Sequence, residues 1–194
     1  MGPHQRFVLC EDSTVFYTGT SKQFSLPEDK NCSSWTKFKL SQDKLFKDEI
    51  VHVSCGNAFN LFVTNKGKVW GTGNKFLKKI GLESEVPIQL PLKEELHATR
   101  AWAGQQGNSQ SLAIIEVKNA DGDFQLFSAG ANEQGLLGQG GKTKETKIFQ
   151  AVNYDFKNVK FEQISLGFDH AVAIDAEGNL WAWGSNLMHA SGFP

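Results

Sequence analysis

Four glycines set the frame in which this chain must fold. Gly19, Gly73, Gly130 and Gly184 fall 54, 57 and 54 residues apart. Each closes a stretch that reads as apolar residues, a polar turn, then an apolar and aromatic run. Leu61–Gly73 and Val172–Gly184 match position by position, with turn glycines at Gly67 and Gly178. Phe7–Gly19 follows the same frame with Ser13 at the turn, and Ser111–Gly130 follows it with extra residues. Self-similarity at a fixed period marks a repeat architecture, in which each copy is one supersecondary unit.

The frame extends on both sides of these glycines. Upstream stand Gly56, Gly104 and Gly167. Gly56 to Gly73 and Gly167 to Gly184 are both 17 residues, whereas Gly104 to Gly130 is 26, an excess of nine that the frame assigns to Glu116–Asp123. Downstream, Gly81, Gly138 and Gly192 each follow the closing glycine by eight. The copies predict short strands near 50–55, 59–64 and 68–72, near 99–103, 110–117 and 123–129, and near 162–166, 170–174 and 179–183. Asn65–Lys68 and Asp175–Gly178 read as hairpin turns. No stretch shows sustained helical periodicity. Many short strands at even spacing, with a glycine and aromatic motif per copy, predict an all-β fold of the β-propeller type.

Composition narrows the function classes. The net charge of −1 and pI near 6.5 lack the electrostatic footprint of a nucleic-acid binder. No apolar run reaches the length of a membrane helix. Met1–Phe7 is polar and reads as no export signal. Cys10, Cys32 and Cys55 are odd in number and form no C-x-x-C, which predicts reduced thiols in a cytosolic or nuclear compartment and neither a disulfide scaffold nor a zinc site. Asn31–Ser33 matches a glycosylation sequon, a weak match without an export signal.

Val53–Gly73, Ile164–Asn186 and Gly130–Gly140 resemble the regulator of chromosome condensation repeat. They read as a small residue and Gly, an apolar strand, a turn with Gly, Val or Leu with Trp, then Gly, and finally Gly-x-Asn-x-x-Gly-x-Leu-Gly. The resemblance implies a seven-bladed propeller of four-stranded blades, used by some members for guanine nucleotide exchange on a small GTPase and by others for protein contacts. Seven copies of this size need about 380 residues. The 194 residues are therefore expected to form one partial domain, 1–194, with three to four blade-like four-stranded antiparallel sheets and copies near 1–48, 49–98, 99–160 and 161–194. A piece of a longer protein, a truncated product and a half-ring completed by another chain are the alternatives. The first is favoured because the last copy stops mid-repeat.

Family copies carry a histidine three residues after the upstream glycine. His170 fits after Gly167, while the frame puts Phe59 and Gly107 at the other two places, which weighs against exchange activity. Asp169 and His170 read more readily as a structural pair than as an acid–base pair. Gly135–Thr143 superficially resembles a phosphate-binding loop but has the wrong glycine spacing and no following helix. Cys55 reads as a small apolar residue on a buried inner strand. Trp70, Trp181 and Trp183 read as wedges between blades. Lys75, Lys78 and Lys79, with Lys142, Lys144 and Lys147, read as a solvated rim diluted by Glu133 and Glu145.

These readings predict a non-enzymatic interaction module without cofactor or metal. Its partners are proteins: the rest of the propeller, another subunit, or a small GTPase. Nucleotide exchange and a structural role in a cilium or other large complex are the alternative functions. The cytoplasm is the expected compartment, with nucleus and cilium as alternatives. The candidate contact residues are Lys118, Asn119, Asp121 and Asp123 on the lengthened hairpin, together with Asp169 and His170.

Overall fold

The computed structural model describes residues 6–20, 31–38, 48–56, 59–84, 86–106, 110–132, 135–140, 144–152 and 159–186. These residues form four antiparallel sheets in chain order. Sheet A holds β1 (Arg6–Leu9), β2 (Val15–Thr20) and β3 (Asn31–Lys37). Sheet B holds β4 (Ile50–Cys55), β5 (Asn60–Thr64), β6 (Val69–Thr72) and β7 (Ile88–Gln89). Sheet C holds β8 (His97–Gln106), β9 (Gln110–Lys118), β10 (Phe124–Ala131) and β11 (Glu145–Ala151). Sheet D holds β12 (Phe161–Leu166), β13 (His170–Asp175) and β14 (Leu180–Gly184). In every sheet, strands adjacent in sequence pair with each other.

Register shows which strand occupies which slot of a blade. β5, β9 and β13 are each flanked by an inner strand and by the strand that carries or runs into the closing glycine. In sheet A, β1 pairs with β2 as β5 pairs with β6: Val8 faces Phe16, and Phe62 faces Trp70. Among the described residues, sheet A therefore fills the second to fourth slots, and sheet D the first to third. The inner strands β4, β8 and β12 share one irregularity. Their register with the next strand slips between Ile50 and His52, between Ala98 and Arg100, and between Phe161 and Gln163. This bulge makes His52, Arg100 and Gln163 equivalent, and likewise Ser54, Trp102 and Ser165.

The hairpins beyond those strands use one five-residue turn four times. In each, the first residue's N–H donates to the fifth residue's carbonyl: Cys10 to Thr14, Thr64 to Lys68, Asn119 to Asp123, and Asp175 to Asn179. A short polar side chain braces each turn. Asp12 Oδ1, Thr64 Oγ1, Asn119 Oδ1 and Asp175 Oδ1 accept from the backbone N–H of the closing residue. The fourth residue takes a left-handed conformation, with φ of 71° at Gly67, 90° at Gly122 and 86° at Gly178. Ser13 adopts it too, at 60°, where an L side chain is strained.

Apolar residues fill the spaces between successive sheets. Val15, Tyr17 and Phe38 pack on Ile50, Phe62 and Trp70 between sheets A and B. Leu61, Val63 and Val69 pack on Ala98, Ala101, Ile115 and Val117 between B and C. Leu112, Ile114 and Leu126 pack on Phe161, Ile164, Ala171 and Ala173 between C and D. The short sequence Asn74–Lys79, where no helical periodicity was read, is a single helical segment, α1. Phe76, Leu77 and Ile80 are buried there, and Phe76 stacks on Phe59 with ring centroids 4.4 Å apart. Three apolar residues within five positions give this segment one buried face, which the repeat loop Gly130–Gly140 obtains from Leu136 and Leu137 instead.

Candidate functional site

Polar side chains stitch neighbouring inner strands together. His52 Nδ1 accepts from Ala101 N–H at 3.3 Å, and Ser54 Oγ accepts from Ala103 N–H at 2.9 Å. Both steps advance by two residues in the same sense, so β4 and β8 run in the same direction. Burial lowers the His52 pKa, the Arg100 cation lowers it further, and Glu116 opposes them, so the ring stays neutral and able to accept. Between C and D, Arg100 donates to the carbonyls of Phe161 and Glu162 and pairs with Glu116 at 2.9 Å. Glu116 is buried and also accepts from Thr99 Oγ1 and Phe161 N–H. Arg100 lies 5.4 Å from the Trp102 ring centroid. A buried carboxylate is tolerable because its hydrogen bonds replace those of water.

Asp169 and His170 sit where β12 turns into β13. His170 Nδ1 lies 3.0 Å from Asp169 Oδ1, and both side chains are half-buried. Gly167 N–H donates to His170 O, and Ser185 N–H donates to Asp169 O, so the backbone of the pair is tied to both neighbouring strands. Between Gly167 and the pair, Phe168 is 67% exposed. An aromatic ring in that position was not singled out from the sequence; its place in the turn beside a framework glycine was the available signal.

Lys118, Asn119, Asp121 and Asp123 lie at the opposite end of the sheets. Lys118 pairs with His97, the first residue of β8, whereas the Asp169 turn follows the last residue of β12. With the inner strands running in the same direction, the two candidate groups occupy opposite ends and do not form one site. On the hairpin, Lys118 Nζ lies 5.7 Å from the Phe124 ring centroid, and Asn119 braces the turn at Asp123.

The structure corrects the assignment of the extra residues. Val117 and Leu126 match Thr64 and Val69, with eight residues between the first pair and four between the second, so this hairpin is longer by four. The remaining five lie at the other end. Gly104 pairs with Leu112 across eight positions, whereas Gly56 and Gly167 reach Phe59 and His170 in three. The family histidine position in sheet C is therefore Leu112 rather than Gly107. A Cβ on Gly104 would meet Leu112 as one on Gly56 would meet Phe59 and one on Gly167 would meet His170. The apolar run Leu112–Ile115 fits either register, so the sequence frame collected the whole excess in one turn. Glu116 and Val117 consequently belong to the core.

Other candidates resolve into architecture. Gly135–Gly140 is held by Asn132 Oδ1 accepting from Leu137 N–H and by Trp183 Nε1 donating to Leu136 O; the chain then continues into β11, not into a helix. Lys78 pairs with Glu83 and Lys79 with Glu145, while Lys142 lies outside the described residues. Cys55 is exposed, contrary to the buried position expected. Desolvation nonetheless pushes its thiol up to about 11 and keeps it protonated near neutrality, although the Phe7 N–H acts in the opposite direction. Trp181 donates to Asp175 Oδ2 at 2.8 Å. Burial would raise the Asp175 pKa, but Trp181, Asn179 and Glu177 donors outweigh it and hold the carboxyl at about 2. Among the described residues no cluster of three or more His, Cys, Asp or Glu is placed to hold a metal, and no helix is long and apolar enough to cross a membrane.

Sheets of this kind, joined through their inner strands and set in chain order, define a β-propeller built from sequence repeats. Residues 50–74 and 161–189 match the Regulator of chromosome condensation (RCC1) repeat, and with the sheets they support an RCC1-repeat β-propeller. The chain is 28% identical over 143 residues to the human X-linked retinitis pigmentosa GTPase regulator, covering 73% of this chain and 13% of that protein. It is 29% identical over 139 residues to the ultraviolet-B receptor UVR8 of Arabidopsis thaliana, covering 70% of this chain and 30% of the receptor. The crystal structure of Prp20p from Saccharomyces cerevisiae, a protein described as binding Gsp1p and histones, matches with a TM-score of 0.72 at 20% identity. That match covers 98% of this chain and 43% of Prp20p. The chain thus spans less than half the length of each.

Proposed function

We propose that this chain is a non-enzymatic protein-interaction module and that the β9–β10 hairpin is a contact element. The observation that carries this reading is the four-residue extension of that hairpin. Two further residues per strand advance the turn by about 7 Å at 3.3–3.4 Å per residue. Lys118, Ala120, Asp121 and Gln125 are exposed on it, and the inter-sheet core does not require them. Protrusions on a rigid scaffold are where binding residues concentrate. Free thiols at Cys10 and Cys55 support a reducing compartment, taken here as the cytoplasm.

The test replaces residues 118–125 with Asn-Lys-Gly-Lys, the turn of residues 65–68, and keeps Val117, which is buried. The shortened chain is expected to retain its β spectrum and melting temperature while losing capture of the partner recovered with the parent chain from a panel of immobilised small GTPases and other purified proteins. Equal recovery by both chains would refute the hairpin as the contact.

A second reading, nucleotide exchange on a small GTPase, is supported by the Asp169–His170 pair with exposed Phe168 at the opposite end of the sheets, and by the Gsp1p binding described for Prp20p. Acceleration of labelled-nucleotide release from a GTPase panel would establish it and displace the interaction-only reading. Asp169→Ala and Phe168→Ala would then each slow that release.

A further inference from the structure

One of the four equivalent hairpin turns differs from the others in charge and in what lies beside it. The third residue of the five-residue turn is Asp12, Asp121 and Glu177 in sheets A, C and D, but Lys66 in sheet B. Lys68 follows as the fifth residue, where sheet C has Asp123. The turn itself needs neither lysine, since Thr64 braces it and Gly67 takes the left-handed conformation. The link from β7 to β8 lies against the start of β6. Leu90 N–H donates to Val69 O at 2.8 Å and Ala98 N–H donates to Gly67 O at 3.0 Å, so the link is tied to the turn at both ends. Between these ties is a cavity of about 270 Å³. Val69, Leu90, Leu92 and Leu96 give it an apolar lining, the first two buried and the others half-buried. Exposed Lys66, Lys68 and Lys93 stand around it. Glu94 also lines it, and Asp48 pairs with Lys68 at 3.2 Å. Among the described residues Lys66 and Lys93 have no ion-pair partner.

We propose that this cavity binds an acidic segment of a partner protein, which seats one large apolar side chain on Val69, Leu90, Leu92 and Leu96 and turns flanking carboxylates to Lys66 and Lys93. The proposal rests on the interaction-module reading and names the partner's chemistry. Charge complementarity sets the occupant. Ammonium groups on two separate segments, the turn and the link, match more than one carboxylate; a run of acidic residues supplies these and a single fatty carboxylate does not. Because both ties of the link are backbone hydrogen bonds, the cavity is preformed, and binding orders little of the chain. Position ties the cavity to the lengthened hairpin. His97 packs on Gly67, where a Cβ would collide with its ring, and pairs across the ladder with Lys118. Cavity and hairpin thus lie at the same end of adjacent sheets, within reach of one partner. Their turns carry opposite charge, Lys66 and Lys68 against Asp121 and Asp123. A bound segment running the wrong way would bring its carboxylates to Asp121 and Asp123, so its acidic part is directed to sheet B.

The probe is the blocked peptide Ser-Glu-Ser-Glu-Leu-Glu-Ser-Glu-Ser, titrated into the isotope-labelled full chain. Saturable shifts are expected at the Val69, Leu90, Leu92 and Leu96 methyls. Serine in place of the central leucine is expected to weaken binding about tenfold or more, the worth of one buried apolar side chain. Lysine in place of the glutamates is expected to abolish it. Lys66→Glu and Lys93→Glu, both at exposed positions, should each weaken it about three- to tenfold, and less at high salt. Gln89→Trp, at an exposed position in the lining, places an indole in the cavity and should abolish binding at an unchanged melting temperature. Absence of saturable shifts at millimolar peptide, or binding that survives Gln89→Trp, would overturn the cavity as a site. Equal affinity of the serine peptide would overturn the apolar anchor, and unchanged affinity in both lysine variants would overturn the charge match. Equal shifts with octanoate at the same concentration would assign the cavity to a fatty carboxylate and overturn the protein partner. If the peptide fails while the shortened β9–β10 hairpin still costs partner capture, this proposal falls and the interaction-module reading stands. If the peptide binds while the shortened chain captures its partner normally, the hairpin contact falls and the cavity stands.

Discussion

Removing the Glu116 carboxylate is expected to loosen sheet C from sheet D more than any change at an exposed residue. Glu116→Ala deletes the acceptor for Arg100 Nε and Nη2, for Thr99 Oγ1 and for the Phe161 N–H. Arg100 keeps the Phe161 and Glu162 carbonyls, but its charge loses its counter-ion. Breaking a buried ion pair by removing one partner costs about 3–5 kcal/mol. The Arg100 side chain is 24% exposed, so water restores part of its solvation and the low end, about 3 kcal/mol, applies. For a chain of this length that corresponds to a fall in Tm of about 6–12 °C. Urea unfolding followed by tryptophan fluorescence reads it directly, since Trp102, Trp181 and Trp183 all pack at this interface. Hydrogen exchange at the Phe161 amide should accelerate before the rest of the chain unfolds. The double variant Arg100→Met/Glu116→Leu should recover to within about 1 kcal/mol of the parent, because an apolar pair replaces the ions without stranding either. A cost below about 1 kcal/mol for Glu116→Ala, or strictly additive single and double variants, would refute the reasoning.

Three further outcomes follow from backbone and protonation geometry. Ser13→Gly should raise stability by about 0.5–1 kcal/mol, measured as a higher urea midpoint at unchanged slope, because glycine relieves the left-handed strain there at some entropic cost. Gly130→Ala should cost at least about 2 kcal/mol in the same assay, since a Cβ would meet Ser111 O at 2.4 Å and Leu112 Cα at 2.8 Å with φ at 110°. The lowered His52 pKa means that the unfolded chain takes up this proton first as pH falls. Its contribution is therefore present above about 6.5 and is lost below that, through the folded-state pKa. Urea midpoints between pH 8 and 5 should show this loss in the parent and a flatter profile in His52→Gln; parallel profiles would contradict it.

The closing glycines were readable because stereochemistry demands them. Gly130 and Gly184 lie against the backbone of the preceding strand at Ser111 and Asp169, where a side chain would collide. The central strands were readable because their apolar residues face a core on a regular register. β7 and β11 escaped notice because outer strands are half solvated: Glu145–Ala151 has a single fully buried residue, Thr146, and no apolar alternation. α1 escaped because six residues are too few for helical periodicity to stand out. Of the candidate site, Asp169 and His170 were visible as sequence neighbours. The Arg100–Glu116 clamp was not, because a side chain's partner on another sheet depends on the shared bulge, which leaves no residue signature.

The lengthened hairpin has a consequence for how such a chain can vary. Its four additional residues enter as two per strand, so Lys118 and Phe124 continue the pairing of β9 with β10 and the same five-residue turn closes above them. Side chains alternate faces along a strand, and growth in pairs conserves that parity. Adding one residue to one strand would turn Val117 or Leu126 from the core toward water, whereas adding two to each leaves every buried contact in place. One residue added to each strand would bring the other kind of cross-strand pair to the turn, so two per strand, four in all, is the smallest insertion that closes with this same five-residue turn. Reach can be altered in steps of about 7 Å while the body stays the same.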